Sequence, residues 1–138
     1  MTCFATRRRA LAALMGFESL TLALVSSLHL SHSLGRGSKP FDPTSAGIAE
    51  GLIAVVLAAG AVALVSSAER GRQLALAATG FAIVGFLFGV TFTILGGETI
   101  DRAYHAVMLP LLALTFLLIV RTGRRAPPSQ IEPSGVQV

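Results

Sequence analysis

The sequence is short of cysteine and of charge, and both shortages restrict what the chain can be. Cys3 is the single cysteine, so an internal disulfide and a CxxC metal or redox motif are excluded. Only 13% of the 138 residues are charged, against about 25% in an ordinary soluble domain. A chain with so little charge lacks the polar surface that a water-soluble globule needs.

Motifs for catalysis and for nucleic acid binding are also missing. The sequence has no phosphate-binding glycine loop, no Ser/His/Asp set, no Cys/His nucleophile pair and no HExxH motif. Its 11 basic residues outnumber its 7 acidic ones, but they flank apolar stretches and do not form the single basic face that a nucleic acid requires. We therefore expect neither an enzyme nor a nucleic-acid-binding protein.

Apolar residues are abundant, at 53% of the chain with a mean hydropathy of +0.73. They concentrate in four stretches, at residues 10–31, 46–66, 74–95 and 103–120. Each is close to the roughly 20 residues with which a helix crosses a hydrocarbon core about 30 Å thick. Lipid offers backbone groups no partners, which favours helices. The sequence thus predicts an all-α fold, a four-helix transmembrane bundle over residues 10–120, with the lipid bilayer as its surroundings.

The segments between and around these stretches agree with that fold. Asp42 and Pro43 suit the N-cap and first position of the second helix, and Asp101 can place negative charge in the first turn of the fourth. Pro110 is expected to bend the fourth helix. Residues 1–9 form a basic N-terminus, and the proline-containing residues 121–138 are expected to be a disordered tail.

Basic residues predict the orientation, because cytoplasmic segments carry an excess of them. Both termini are expected inside, as a multi-pass protein of the cytoplasmic membrane. This places eight basic residues on the inner side, which are Arg7, Arg8, Arg9, Arg70, Arg72, Arg121, Arg124 and Arg125. It leaves three outside, which are Arg36, Lys39 and Arg102.

The N-terminus has a second interpretation, as a signal peptide that begins with adjacent arginines. Against cleavage, Glu18 interrupts the apolar region, no small-x-small cleavage site follows, and the stretch is long enough to span a membrane. A mature protein that starts after Ser26 or Ser27 would refute the first helix.

Small residues recur on two of the helices, as the pairs Gly47 and Gly51, and Gly85 and Gly89. Such spacing lets helix backbones approach closely. The two faces can serve contacts within the bundle. They can also bind a second copy of the chain, giving a homo-oligomer, or another membrane protein. Chance spacing in a chain rich in alanine and glycine is the alternative.

Ionisable residues within the apolar stretches are the candidates for function, because each costs about 2.5–3.5 kcal/mol near the bilayer centre. At 100° per residue, Glu18, His29 and His32 share one face of the first helix. With both termini inside, four residues fall within roughly 10 Å of the outer boundary, with Glu98 and Asp101 close above. These four are His29, His32, Glu50 and His105.

Imidazoles and carboxylates together can bind a divalent metal, His can hold haem iron, and a buried His–Glu pair can relay protons. The four residues are therefore a candidate metal or haem site. Two alternatives stay open: a structural His–Glu hydrogen bond, and interfacial histidines wetted by lipid headgroups.

Two segments, at residues 41–50 and 99–105, resemble those of small four-span bacterial membrane proteins without assigned function. The resemblance implies a fold and a location but no activity. Three hypotheses of function follow. The first is a non-enzymatic accessory or assembly component of the membrane, the second a redox, metal- or haem-binding module, and the third a proton-coupled small-solute transporter that uses Glu18 and Glu50.

Overall fold

A computed structural model describes residues 2–34, 38–67 and 69–123, and these residues form four α-helices and no strand. The helices are α1 (Thr2–Leu30), α2 (Pro43–Ser66), α3 (Glu69–Gly96) and α4 (Thr99–Gly123). All four are long and apolar enough to cross a membrane. The all-α, four-helix architecture predicted from the sequence is confirmed.

The helices run past the predicted spans, because a helix can continue beyond its apolar segment. Residues 2–9 of the predicted basic N-terminus belong to α1, and α4 continues through Arg121 to Gly123. The span limits themselves, the domain limits and the orientation stay predictions. The rest of the predicted disordered tail, residues 124–138, lies outside the described residues.

Each helix packs against its neighbours along the chain, and α1 also meets α4, so the bundle closes as a ring. The contact between α1 and α4 is the smallest of the four. Large side chains fill the interior, including Met15, Leu22, Leu57, Phe86 and Leu112. Leucine, valine, isoleucine and phenylalanine side chains also cover much of the exterior, a surface suited to acyl chains.

The small residues predicted as packing faces make contacts inside this bundle. A Cβ placed on Gly47 would lie 2.9 Å from Leu30 Cγ of α1, and one on Gly85 would lie 2.7 Å from Ile53 Cδ1 of α2. Serines of α1 add hydrogen bonds to α2 across the same interface: Ser19 Oγ donates to the Ala54 carbonyl at 2.8 Å. Close helix approach is therefore used within one chain.

At one end of the bundle, here called the His29 end, the α1–α2 and α3–α4 turns meet. The Ser38 amide donates to the Gly96 carbonyl at 2.9 Å, joining the two turns. Asp42 is the N-cap of α2 and Pro43 its first residue, as predicted. The hydroxyl and then the amide of Ser45 donate to the Asp42 carboxylate and lower its pKa, so this exposed residue is negatively charged at neutral pH.

At the opposite end, Arg8 of α1 closes the C-terminus of α2. Its guanidinium donates to the Leu64 carbonyl, with Nε at 3.0 Å, and to the Ser67 carbonyl at 2.5 Å. The last carbonyls of a helix have no partner in the helix itself, and a cation there also complements the helix dipole. Arg8 thus fastens α1 to α2 at this end.

Candidate functional site: a buried carboxylate–imidazole–carboxylate cluster

Three helices bring ionisable side chains together inside the His29 end of the bundle. His29 Nδ1 lies 2.8 Å from Glu50 Oε2 of α2, and His29 Nε2 lies 3.1 Å from Asp101 Oδ1 of α4. The side chains of His29 and Asp101 are each 1% exposed, and that of Glu50 is 6% exposed. We call these three residues the His29 cluster.

A glycine lets α2 come close enough for Glu50 to reach His29. Gly47 lies one turn before Glu50, and a Cβ there would be 3.0 Å from the Ser26 carbonyl oxygen and 3.1 Å from His29 Cβ. Ser26 Oγ donates to the Gly47 carbonyl at 2.6 Å. The helices α1 and α2 are therefore in backbone contact at the level of the cluster, and Glu50 faces inward.

The start of α4 positions Asp101. This helix begins at Thr99, so Glu98 is its N-cap and Asp101 its third residue. Asp101 Oδ2 accepts a hydrogen bond from the Glu98 amide at 3.3 Å, the side-chain half of a capping box. Its other oxygen, Oδ1, faces His29. One carboxylate thus both caps the helix and completes the cluster.

Aromatic rings surround the cluster. The ring of Phe41, which is 6% exposed, meets His29 edge-on at a centroid distance of 5.9 Å. His105 Nδ1 donates to the Asp101 carbonyl at 2.9 Å, and its ring lies 4.9 Å from that of Phe86. The three ionisable groups are therefore buried beside aromatic rings, and their mutual hydrogen bonds must supply much of their solvation.

Hydrogen bonding fixes the minimum number of protons in the cluster. Each N···O contact of His29 needs one hydrogen between the two atoms, because two lone pairs would repel each other. A neutral imidazole carries a single N–H, so the second contact requires one more proton, on the imidazole or on a carboxyl group. With that proton the cluster has a net charge of −1, and with another it is neutral.

The structure gathers part of the set predicted from the sequence. His29 and Glu50 are in direct contact, and His105 is linked to them through the backbone of Asp101. His32 does not join them, because α1 ends at Leu30 and His32 is exposed in the following turn with φ 54°. The shared helix face predicted for His32 requires a helix that continues to that residue.

A metal site is not assembled among the residues that the structure describes, where no group of three or more His, Cys, Asp or Glu could hold a metal ion. Both ring nitrogens of His29 face carboxylate oxygens and so are not free for a metal. The assignment of a divalent metal or haem to His29, His32, Glu50 and His105 stays a prediction from the sequence.

A second polar contact lies deeper in the bundle, eleven residues along α1 and so about 16 Å from His29. Glu18 is fully buried, and its Oε1 accepts a hydrogen bond from Thr115 Oγ1 of α4 at 2.6 Å. Its Oε2 has no hydrogen-bond partner among the described residues.

The Thr115→Val variant tests how the bundle tolerates Glu18. Valine keeps the shape of threonine but removes the hydroxyl, which leaves both carboxyl oxygens of Glu18 buried without a donor. We expect a loss of about 1–3 kcal/mol in the free energy of unfolding, measured by SDS titration of the helical signal in mixed micelles. The double variant Glu18→Leu/Thr115→Val should recover most of this loss, and an equal loss in both would show that packing alone is affected.

Sequence reasoning missed several members of the site. It placed Asp101 near the histidines but assigned it only to the helix start, and it gave Glu18 no partner. The spacing Glu98-x-x-Asp101 does signal a capped helix start, but no sequence pattern indicates that the cap also faces His29. Phe41 likewise has no signal that would place it over the imidazole.

No family model, no curated protein and no solved structure matches this chain. The function must therefore be argued from the site alone.

Proposed function

We propose that this chain is a multi-pass protein of the cytoplasmic membrane in which the His29 cluster binds and releases protons in step with a small solute. The observation that carries the proposal is the position of His29, held between two carboxylates from two other helices. Charged groups inside a hydrocarbon layer are expensive and mark ion or proton pathways. A structural pair would need one carboxylate, whereas this imidazole has two.

The proton count explains how the cluster can respond to a solute. A net charge of −1 in apolar surroundings attracts either a further proton or a cation. A positively charged solute near Glu50 therefore favours the cluster with net charge −1. When the solute leaves, uptake of one more proton, which makes the cluster neutral, is favoured. Proton binding and cation binding then weaken each other by the same factor, which is the thermodynamic basis of exchange between them.

The other two hypotheses have less support. The accessory or assembly role rests on the missing catalytic set and on the small-residue faces; those faces are used in contacts within the bundle, so that role stays a prediction with only the first of its two arguments. A haem or metal module would need the nitrogens of His29 to leave both carboxylates. The contact of α1 with α4 is the smallest of the four and is bridged by the buried polar pairs His29–Asp101 and Glu18–Thr115, which favours a proton-linked role.

The test is an infrared difference spectrum of the purified full-length protein between acidic and neutral pH, recorded in detergent. We expect a carbonyl-stretch band from a buried protonated carboxyl group, shifted in heavy water, together with imidazole ring bands. The band should be lost in Glu50→Gln, because this variant removes the carboxyl group and keeps its shape.

The matched controls are Asp42→Asn, which alters an exposed carboxylate, and Glu18→Gln, which alters the deeper one. Both should retain the band assigned to Glu50. A spectrum identical in wild type and Glu50→Gln would show that the cluster does not change its proton content, and the proposed function would be wrong.

A further inference from the structure

A cavity of about 330 Å³ lies between α2 and α3 next to the His29 cluster. This volume falls within the range of small-molecule sites, which is roughly 300–1,000 Å³. Its wall is mainly apolar and includes four phenylalanine rings, and one side chain of the cluster reaches it. These residues are Phe41, Phe86, Phe88, Phe92 and Glu50.

Glu50 lines this wall and has one carboxylate oxygen without a partner among the described residues. Its Oε2 is bonded to His29, but its Oε1 is buried and has no hydrogen-bond partner among the described residues. The residue as a whole is 5% exposed. A buried acceptor without a donor is unfavourable by about 1–3 kcal/mol, and more when the group is charged. A ligand that brings a donor or a positive charge to Oε1 would remove this penalty.

The charge and the aromatic rings of the cavity favour the same kind of ligand. The ionisable residues in the described part of its lining are Asp42 and Glu50, and both are acidic. Arg102 lies near the cavity, but it is exposed and its Nε donates to the Thr93 carbonyl at 3.3 Å. Phenylalanine faces attract cations electrostatically, whereas an anion would meet two carboxylates.

We propose that this cavity binds a small organic cation, with its positive centre beside the Glu50 carboxylate and its apolar groups against the phenylalanine rings. The inference rests on the proposed function and names the class of solute that it uses. The cavity also has room for such a ligand, because the small side chains of Ala46 and Ala49 line its α2 side.

The experiment measures binding of benzyltrimethylammonium to the full-length protein in lipid nanodiscs by equilibrium dialysis. The neutral comparison compound is neopentylbenzene, which has the same shape with carbon in place of nitrogen, and the anionic one is benzenesulfonate. We expect the cation to bind and the anion not to bind. The cation should be displaced by excess cation but not by the neutral compound.

Two variants locate the site. Glu50→Gln should weaken binding of the cation by about tenfold or more, because it removes the charge that faces the ligand. Ala49→Phe fills the cavity and leaves Glu50 in place, so it should abolish binding even if Glu50→Gln folds poorly. Ala58→Phe is the matched control, because it adds the same ring at an exposed position of α2 outside the cavity.

The inference is overturned if the cation does not bind to the wild-type protein, if the neutral compound displaces it equally well, or if Ala49→Phe binds as the wild type does. These results are separate from the infrared test. A wild-type protein with the Glu50 carboxyl band and no cation binding would refute the ligand and leave proton binding by the cluster intact.

Discussion

Replacing His29 by leucine is expected to lower the free energy of unfolding by about 3–5 kcal/mol, the usual consequence of removing one partner of a buried ion pair. Leucine fills a similar volume, so the main effect is electrostatic. Glu50 and Asp101 would remain buried on two helices with no imidazole between them. The measurement is SDS titration of the purified protein in mixed micelles, followed by circular dichroism at a helical wavelength.

Two comparisons separate charge from packing. His32→Leu removes an exposed histidine just beyond α1 and should change stability by less than about 0.5 kcal/mol. The triple variant His29→Leu/Glu50→Met/Asp101→Asn removes the whole cluster, while the introduced asparagine keeps a side-chain oxygen for the Glu98 amide. It should recover most of the loss, because replacing a complete buried ionic set is often neutral. If it is as unstable as His29→Leu alone, the lost contact is steric and the electrostatic account is wrong.

The fold could be predicted from the sequence because length and apolar character act over whole segments. Residues 46–66 and 74–95 lie entirely within α2 and α3, and Asp42 and Pro43 begin α2 as their residue types indicate. The helix limits were harder to predict. An apolar segment ends at the first charged residue, whereas a helix continues until the backbone turns. Accordingly α3 starts at Glu69, before its apolar segment, and α4 ends at Gly123, after its apolar segment.

The candidate site could be predicted only in part, because helical periodicity gives the face of a residue but not its partner. Glu18 and His29 both reach α4, as their shared face allows, yet one meets Thr115 and the other Asp101. Those partners depend on the relative height of α1 and α4, which two turns and many packing contacts determine together. His32 shows the other limit, since its angle on the helix loses meaning once α1 ends at Leu30.

The tightest approach between helix backbones predicts the second large effect, at Gly71. A Cβ on Gly71 of α3 would lie 2.8 Å from the Ala63 carbonyl carbon and 3.1 Å from Leu64 Cα, and closer still to the Ala63 carbonyl oxygen. These are backbone atoms of α2, so no rotamer change can relieve the overlap. We expect Gly71→Ala to destabilise the protein by about 1–3 kcal/mol or more, in the same SDS titration.

Gly16→Ala is the matched control for Gly71→Ala, because a Cβ on Gly16 would meet nothing within 4 Å. Alanine in a helix interior is favoured over glycine by roughly 0.5–1 kcal/mol, so this variant should be as stable as the wild type or slightly more so. The two substitutions add the same methyl group, so the difference between their free energies of unfolding measures the effect of the close α2–α3 approach.

Arg8 binds the Leu64 carbonyl at this same corner. A shift of α3 should therefore loosen the end of α2 as well, and hydrogen exchange should rise at residues 64–67. Equal stability of Gly71→Ala and Gly16→Ala would mean that α3 can move away from α2 without loss, and that the corner does not hold the bundle together.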